Sequence, residues 1–238
     1  VTVYGPDSVL NRGPEAAFSH VSAKLNNAAG KMGKLLATDM YLDGQGTNSG
    51  TLQLDGLQAA VDHGSNYASY GGITRSDLGV ANGTVSSGIN GYVASFSTGF
   101  SLTGVQKAYG SAWFGNEHVD LIAGRQNVWD QFWSKLQPMQ RFHEESSDVA
   151  KAGFSSFKFN SASVVVDQYA PSGEMYGLNT RRENFALYVS TLERYQFGFS
   201  GFKEAQNTDD VAGQYFFAGN LVVSNPRLNF RITSVPTL

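Results

Sequence analysis

Cysteine is absent from the 238 residues, so neither a disulfide framework nor a thiolate metal site can hold this chain together. Stability must come from a buried core or from contacts between copies. Charge is scarce as well, with Asp, Glu, Lys and Arg at 16% against roughly 25% in average globular proteins. Seventeen basic and 20 acidic residues leave a formal net charge of −3, without the clustered Lys and Arg that dedicated nucleic-acid binders use on phosphates. No apolar run approaches the ~20 residues of a membrane span, and no signal peptide opens the sequence. The expectation is a soluble protein that folds in the cytoplasm.

Glycine and aromatics are plentiful. Glycine supplies 27 residues, about 11% against an average near 7%, and Phe, Trp and Tyr supply 13%. Low charge with many rings fits a β-rich globular protein, and equally a subunit that hides surface against others. The length allows one large or two small domains.

The first expected element is a long amphipathic helix. Gly13-Pro14-Glu15 offers Pro at the first helical position and a carboxylate at the positive end of the dipole. At 100° per residue Phe18, Val21, Leu25, Ala28, Met32, Leu35 and Leu36 fall in one stripe about 100° wide, which predicts packing on a sheet. Lys24 and Lys31 lie together outside the stripe, with Lys34 further round. Gly30 and Gly33 fall away from it too, as a bend or a place where a neighbouring chain approaches. The run from Asp43 to Gly50 (DGQGTNSG) ends the helix, and a loop-rich α/β region is expected from there to about Phe154. Within that region Thr98 is expected to cap a helix through Leu102, Val105 and Tyr109, and Asn127 another carrying Val128, Phe132, Trp133 and Leu136.

From Phe154 onward the chain reads as mostly β. Phe157, Phe159, Val164 and Val166 point to a hairpin, and Phe185, Leu187 and Val189 to a further strand. VVVDQYAPSGEMYGLNT, from Val164 to Thr180, reads as a buried strand, a turn at Ala170-Pro171-Ser172-Gly173 and a returning strand, hence a second hairpin. GNLVVSNPRLNFRIT, from Gly219 to Thr233, alternates Leu228, Phe230 and Ile232 with Arg227, Asn229 and Arg231, which predicts a half-buried closing strand entered through Asn225-Pro226. The polar GFKEAQNTDDVAG, closing at Gly213, is expected to project outward as a loop.

Nothing in the sequence assembles a catalytic or metal constellation. His143-Glu144-Glu145 lacks the second His of a zinc motif and reads as a solvated loop after Pro138. Gly44-Gln45-Gly46 with Gly50 matches no phosphate loop and follows a helix where a strand is required. Asp39, Asp43 and Asn48 lack the bidentate Glu that closes a calcium loop. Ser95, Ser97 and Ser101 stand in no nucleophile elbow, and His20, His63 and His118 are scattered. Trp129 and Trp133, at helical spacing, read as core or interface anchors. Arg181, Arg182, Arg227 and Arg231 are expected either in salt bridges across subunit boundaries or facing nucleic acid. No catalytic residue, cofactor or metal is expected.

The two C-terminal stretches resemble the C-terminal part of the major capsid (coat) proteins of tailed bacteriophages. Leu35 to Leu57 (LLATDMYLDGQGTNSGTLQLDGL) is similar to the end of that family's spine helix and its glycine-rich exit. Val119 to Leu136 (VDLIAGRQNVWDQFWSKL) is similar to the strand and helix in the middle of its axial domain, and Tyr70-Gly71-Gly72-Ile73-Thr74-Arg75 to a short loop. The collinear similarity runs from about Gly13 onward. Relatives carry an N-terminal arm and an extended loop ahead of the spine helix, whereas here the helix is reached almost at once.

The resemblance implies an α+β capsid fold with a long spine helix, a peripheral lobe with a long β-hairpin, and an axial α/β lobe. The implied division is 1–55 for the start and spine helix, 56–184 axial, 185–220 peripheral strands and loop, and 221–238 a strand returning to the axial domain. It further implies a structural subunit, not an enzyme, that self-assembles into pentamers and hexamers of a head shell around viral double-stranded DNA. Scaffolding and portal proteins would be its partners, with no membrane. The net charge is compatible, since a shell need only avoid strong attraction to what it encloses. Lys24, Lys31, Lys34, Lys203, Glu204, Asp209, Asp210, Arg181 and Arg182 are the candidate intersubunit contacts. The alternatives are a secreted β-rich carbohydrate-binding or hydrolytic module using the aromatics as platforms, or the shell of an encapsulating nanocompartment.

Overall fold

A computed structural model describes residues 1–4, 14–43, 54–75, 90–136, 157–204 and 210–238, with side chains for all of these except 14–20 and 157. The expectations at 44–50, 143–145 and Asp209, and those for the side chains of Phe18 and His20, therefore lie outside the described residues. In chain order the first half holds β1 (Thr2–Val3), α1 (Pro14–Asp39), α2 (Leu57–Ala60), β2 (Ser69–Tyr70), β3 (Ile73–Thr74), β4 (Tyr92–Ser95), α3 (Leu102–Ser111), β5 (Leu121–Gly124) and α4 (Gln126–Leu136). The second half holds β6 (Phe157–Phe159), β7 (Ala162–Val166), β8 (Met175–Leu178), β9 (Phe185–Val189), β10 (Gln196–Phe199), β11 (Lys203–Glu204), β12 (Val211–Ala212), β13 (Tyr215–Phe217), β14 (Gly219–Val223) and β15 (Phe230–Thr233). The architecture is α+β, as expected. By contact density the chain divides into two units, one formed by Val1–Thr38 with Leu187–Asn220, the other by Asp39–Ala186 with Leu221–Leu238.

The second unit is built on a six-stranded sheet in the order β4-β15-β8-β5-β7-β6. Because successive side chains alternate, the sheet buries apolar groups on both faces. Met175, Phe230, Ile232, Ile122 and Val164 join Val105, Tyr109, Val128 and Phe132 of the two longer helices in one core cluster. Tyr176 and Leu178 join Leu57, Val61, Leu221 and Val223 in the other. Two turn residues at positive φ, Gly71 at 59° and Gly72 at 76°, close the β2–β3 hairpin in the primed geometry that suits strand twist.

Several local expectations are corrected here. The β6–β7 hairpin forms, but β7 and β8 do not pair. Strand β5 lies between them, parallel to β7 (Ile122 opposite Val164) and antiparallel to β8 (Ile122 opposite Gly177). A local turn signal specifies a chain reversal, not adjacency, and a strand from earlier in the chain has filled the gap. The turn also sits one residue later than expected, with Glu174 N donating to Pro171 O at 3.3 Å and Gly173 at φ 75° in its third position. Strand β15 is not half-exposed: it lies between β4 and β8, and Asn229 and Arg231 are buried along with Phe230 and Ile232. Ser101, not Thr98, caps α3, its side chain accepting from Gly104 N at 3.2 Å. Helix α4 opens at Gln126, so Asn127 lies in the first turn and its Nδ2 donates to Val235 O at 3.5 Å.

The first unit is constructed differently. Helix α1 begins at Pro14 as the sequence predicts. Val21, Leu25, Ala28, Met32 and Leu36 are only half-buried, and Leu35 is 62% exposed, so the apolar stripe is narrower and wetter than expected. Residues 185–204 and 210–223 form the expected long hairpin as nested pairs, β9 with β14, β10 antiparallel to β13, and β11 antiparallel to β12, with β1 added antiparallel to β12. Part of the stretch expected as a polar loop is thus strand. Among the described residues of this unit, Val3 is the only buried apolar side chain.

Candidate assembly surfaces

A two-stranded ribbon without a core is marginal in water, where three or more strands with a covered face are the usual minimum. The hairpin nevertheless carries Tyr195, Phe197, Phe199, Phe202, Tyr215, Phe216 and Phe217 within 23 positions. The rings contact one another: Phe197 to Phe217 at 4.6 Å between centroids, Phe199 to Tyr215 at 4.9 Å and Tyr195 to Phe216 at 5.9 Å, with Arg194 lying 4.5 Å over Phe216. Toward the ribbon's base Tyr188 is 64% exposed and Leu192 63%. So dense an apolar surface marks a contact site.

The expected contact residues fall into three places. Lys31 and Lys34 stand exposed on α1, while Lys24 is half-buried, donating to Thr2 O at 3.3 Å and lying 5.7 Å from the Tyr4 ring. Lys203 and Glu204 are exposed on β11 and line a polar cleft of about 220 Å³ with Arg194, Ser200 and Gln214; Asp210 beyond them is half-buried. Arg181 and Arg182 belong to the second unit. There Arg181 is paired within the chain to Glu117, beside Thr180, whose N and Oγ1 both donate to Asp120 at 2.9 Å, while Arg182 is exposed. Nearby Arg227 stacks on Phe114 at 4.3 Å.

Two buried charge centres escaped the sequence reading. Arg231 Nη2 meets Glu174 Oε1 at 2.7 Å and Nη1 donates to Gln58 O at 3.4 Å, while Tyr176 donates its hydroxyl to Glu174 Oε2. This pair is internal, which removes Arg231 from the expected intersubunit or DNA-facing set. Arg75, fully buried, donates to the carbonyls of Ala59, Ala60 and Tyr67 at 2.6, 3.4 and 3.0 Å. Burial draws its pKa below the ordinary guanidinium value, against the opposing pull of Asp62. Asp62, also fully buried, accepts from the backbone of Gly64, Asn66 and Tyr67 at 2.8 to 3.2 Å and so closes the loop around Arg75.

Four tyrosines in the second unit have raised pKa values, Tyr41, Tyr67, Tyr70 and Tyr176, each mainly because burial disfavours the phenolate. Tyr41 also donates to Asp167 Oδ2 at 2.8 Å, which adds to its shift. Unfolded, these groups ionise near 10.0, while folded they keep their protons, so their contribution is whole below that pH and lost above it. Urea unfolding of the subunit at stepped pH is expected to show steady stability up to about pH 10 and a progressive fall beyond it. A flat profile past that point would count against the buried phenols.

Among the described residues no group of three or more His, Asp or Glu is placed to hold a metal, and no helix is long and apolar enough to cross a membrane. His118 stacks beside Trp113 at 5.7 Å, and His63 Nδ1 accepts from Ser65 N at 3.4 Å. Trp129 packs against the first core cluster, and Trp133 is 37% exposed.

No protein-family model matches the sequence, and no curated protein matches it. The three-dimensional structure is similar to solved ones. The holo-SrpI encapsulin complex of Synechococcus elongatus PCC 7942 superposes with a TM-score of 0.65 at 11% identity, over 99% of this chain and 71% of the encapsulin. The capsid of cyanophage A-1(L) gives 0.63 at 14% identity, over 99% and 75%. This is the capsid fold. The procapsid of satellite phage P4, solved with its size determination protein, also matches, at 0.51 and 10% identity over 99% and 69%. The resemblance to phage coat proteins therefore holds at the level of the fold, as does the expected α+β architecture. With identities this low, the capsid fold is what the comparisons share with this chain.

Proposed function

We propose that the chain is a structural subunit that self-associates into a closed shell, and that it is not an enzyme. The observation that carries this is the first unit: a long aromatic hairpin and a half-covered helix, with one buried apolar side chain among the described residues. Neither element reaches the burial of an independent domain without a further layer, and further copies of the same chain supply one. Head-to-tail contacts whose rotation closes give rings of five and six, which join into a shell. In this reading the first unit and flanking residues to 55, with 185–220, are the peripheral domain. Residues 56–184 and 221–238 are the axial domain. The proposed shell is the head of a tailed phage, enclosing double-stranded DNA, assembled in the host cytoplasm with scaffolding and portal proteins.

A second reading, an encapsulin-type compartment, is favoured by the encapsulin superposing over as much of this chain as the cyanophage capsid does. Negative-stain microscopy with sedimentation velocity tests the common core. Closed particles or rings of five or six are expected, and a clean monomer of 25.7 kDa would overturn both readings. Particles recovered from the native source and treated with nuclease separate the two. Protected double-stranded DNA supports the phage head, and a protein cargo without DNA the compartment.

A further inference from the structure

We propose that the bulge at Phe197 is an assembly anchor: the aromatic ribbon of one subunit seats on the exposed face of α1 in a second copy. This rests on the shell-subunit reading and adds to it a named contact.

The bulge is costly for a lone chain. The β10–β13 register shifts between Gln196 and Gly198, and Phe197 adopts φ 58°, a left-handed conformation that bulky residues rarely hold. The backbone is shaped around it, because a Cβ on Gly198 would stand 2.2 Å from Arg194 O. The outcome of this strain is that Phe197 points outward, 47% exposed, stacked on Phe217. For an isolated subunit, strain that exposes an apolar ring is lost stability. It is accounted for when the ring is covered by a partner, where aromatic anchors dominate binding.

Charge identifies the partner surface. Between residues 16 and 38 the helix segment carries Lys24, Lys31 and Lys34 and no carboxylate. Residues 187–220 carry four carboxylates, Glu193, Glu204, Asp209 and Asp210, against Arg194 and Lys203. Helix and hairpin are thus of opposite sign, while two hairpins repel. The side of the helix that carries Lys31 and Lys34 also has room for rings: Leu35, beside Lys31, is 62% exposed, and a Cβ on Gly30, beside Lys34, would meet nothing within 4 Å. Lysine ammonium groups over aromatic faces add cation–π attraction. Topology agrees, since a ribbon-on-ribbon contact would close as a two-fold dimer. A ribbon-on-helix contact leaves every copy with one free ribbon and one free helix face, so it propagates around a ring.

The test replaces Phe197 by p-benzoylphenylalanine in particles assembled from mixed light and heavy isotope-labelled subunits, followed by irradiation and peptide mass spectrometry. Cross-links from position 197 to α1 peptides of the opposite label are expected. Cross-links confined to one label, or landing on another hairpin, overturn the proposal. In a second arm, Lys31→Glu with Lys34→Glu, and separately Glu193→Lys with Glu204→Lys, are each expected to lower the assembled fraction at least about tenfold with unchanged circular dichroism. Combining all four is expected to restore it. Variants that assemble like wild type, beside a wild type that forms particles, remove this contact and leave the shell reading intact. A wild type that stays monomeric removes both.

Discussion

Replacing Arg231 by alanine is expected to destabilise the subunit by about 3 kcal/mol or more, the range found when one partner of a buried ion pair is removed. The side chains of Arg231 and Glu174 are only 8% and 15% exposed. Glu174 also accepts from Tyr176 and from Gln58 Nε2, so its charge is held in place by the surrounding fold and cannot turn to solvent when the arginine is gone. Burial alone would lower the arginine's pKa, yet Tyr176 and Glu174 together hold it above the ordinary value, so the guanidinium stays charged throughout. Removing both charges at once, with Arg231→Met and Glu174→Leu, leaves no stranded ion, and that double variant is expected within about 1 kcal/mol of wild type. Urea unfolding of the unassembled subunits at neutral pH measures both. A single variant that loses less than the double would mean that the buried charge finds water, and the account would fail.

The same residue shows where the sequence was legible and where it was not. Alternation of Leu228, Phe230 and Ile232 with Arg227, Asn229 and Arg231 identifies a strand, but a period of two looks the same whether the polar set faces water or a buried counter-charge. Only Glu174, 57 positions earlier, distinguishes the cases, and nothing local connects the two. The insertion of β5 between β7 and β8 has the same origin, since adjacency in a sheet is a long-range property. Local signals fared better. Pro14 opens α1, the β5–α4 pair lies within the stretch from Val119 to Leu136, and Pro226 breaks the chain between β14 and β15. Of the candidate surfaces, the lysines of α1 were legible as polar positions on an amphipathic helix, whereas Lys203 and Glu204 were read as part of a polar loop and stand on β11. The aromatic ribbon was missed although Tyr195, Phe197 and Phe199 alternate with Gln196, Gly198 and Ser200, a period of two; what the alternation could not give is the register shift between Gln196 and Gly198.

Gly177 gives the second large effect: alanine there is expected to cost about 3 kcal/mol, at the upper end for overpacking a core. It lies opposite Phe230 in the β8–β15 ladder, and a Cβ would stand 2.1 Å from Cε1 and 2.3 Å from Cζ of that ring. Phe230 has nowhere to go. It is fully buried between the helices and the sheet, and it covers the glycine's backbone in the manner of an aromatic placed across from a strand glycine. The added methyl must therefore displace the ring or the strand. Pairing Gly177→Ala with Phe230→Leu tests the cause, because the smaller side chain vacates the space the methyl needs. The double variant is expected to be more stable than the sum of the two single losses by about 1–2 kcal/mol, the coupling of residues in direct contact. Additive losses in urea unfolding would place the strain elsewhere. A coupled result would tie the central strand order, β15 beside β8, to a single ring-on-glycine contact in a sheet whose two faces are both core.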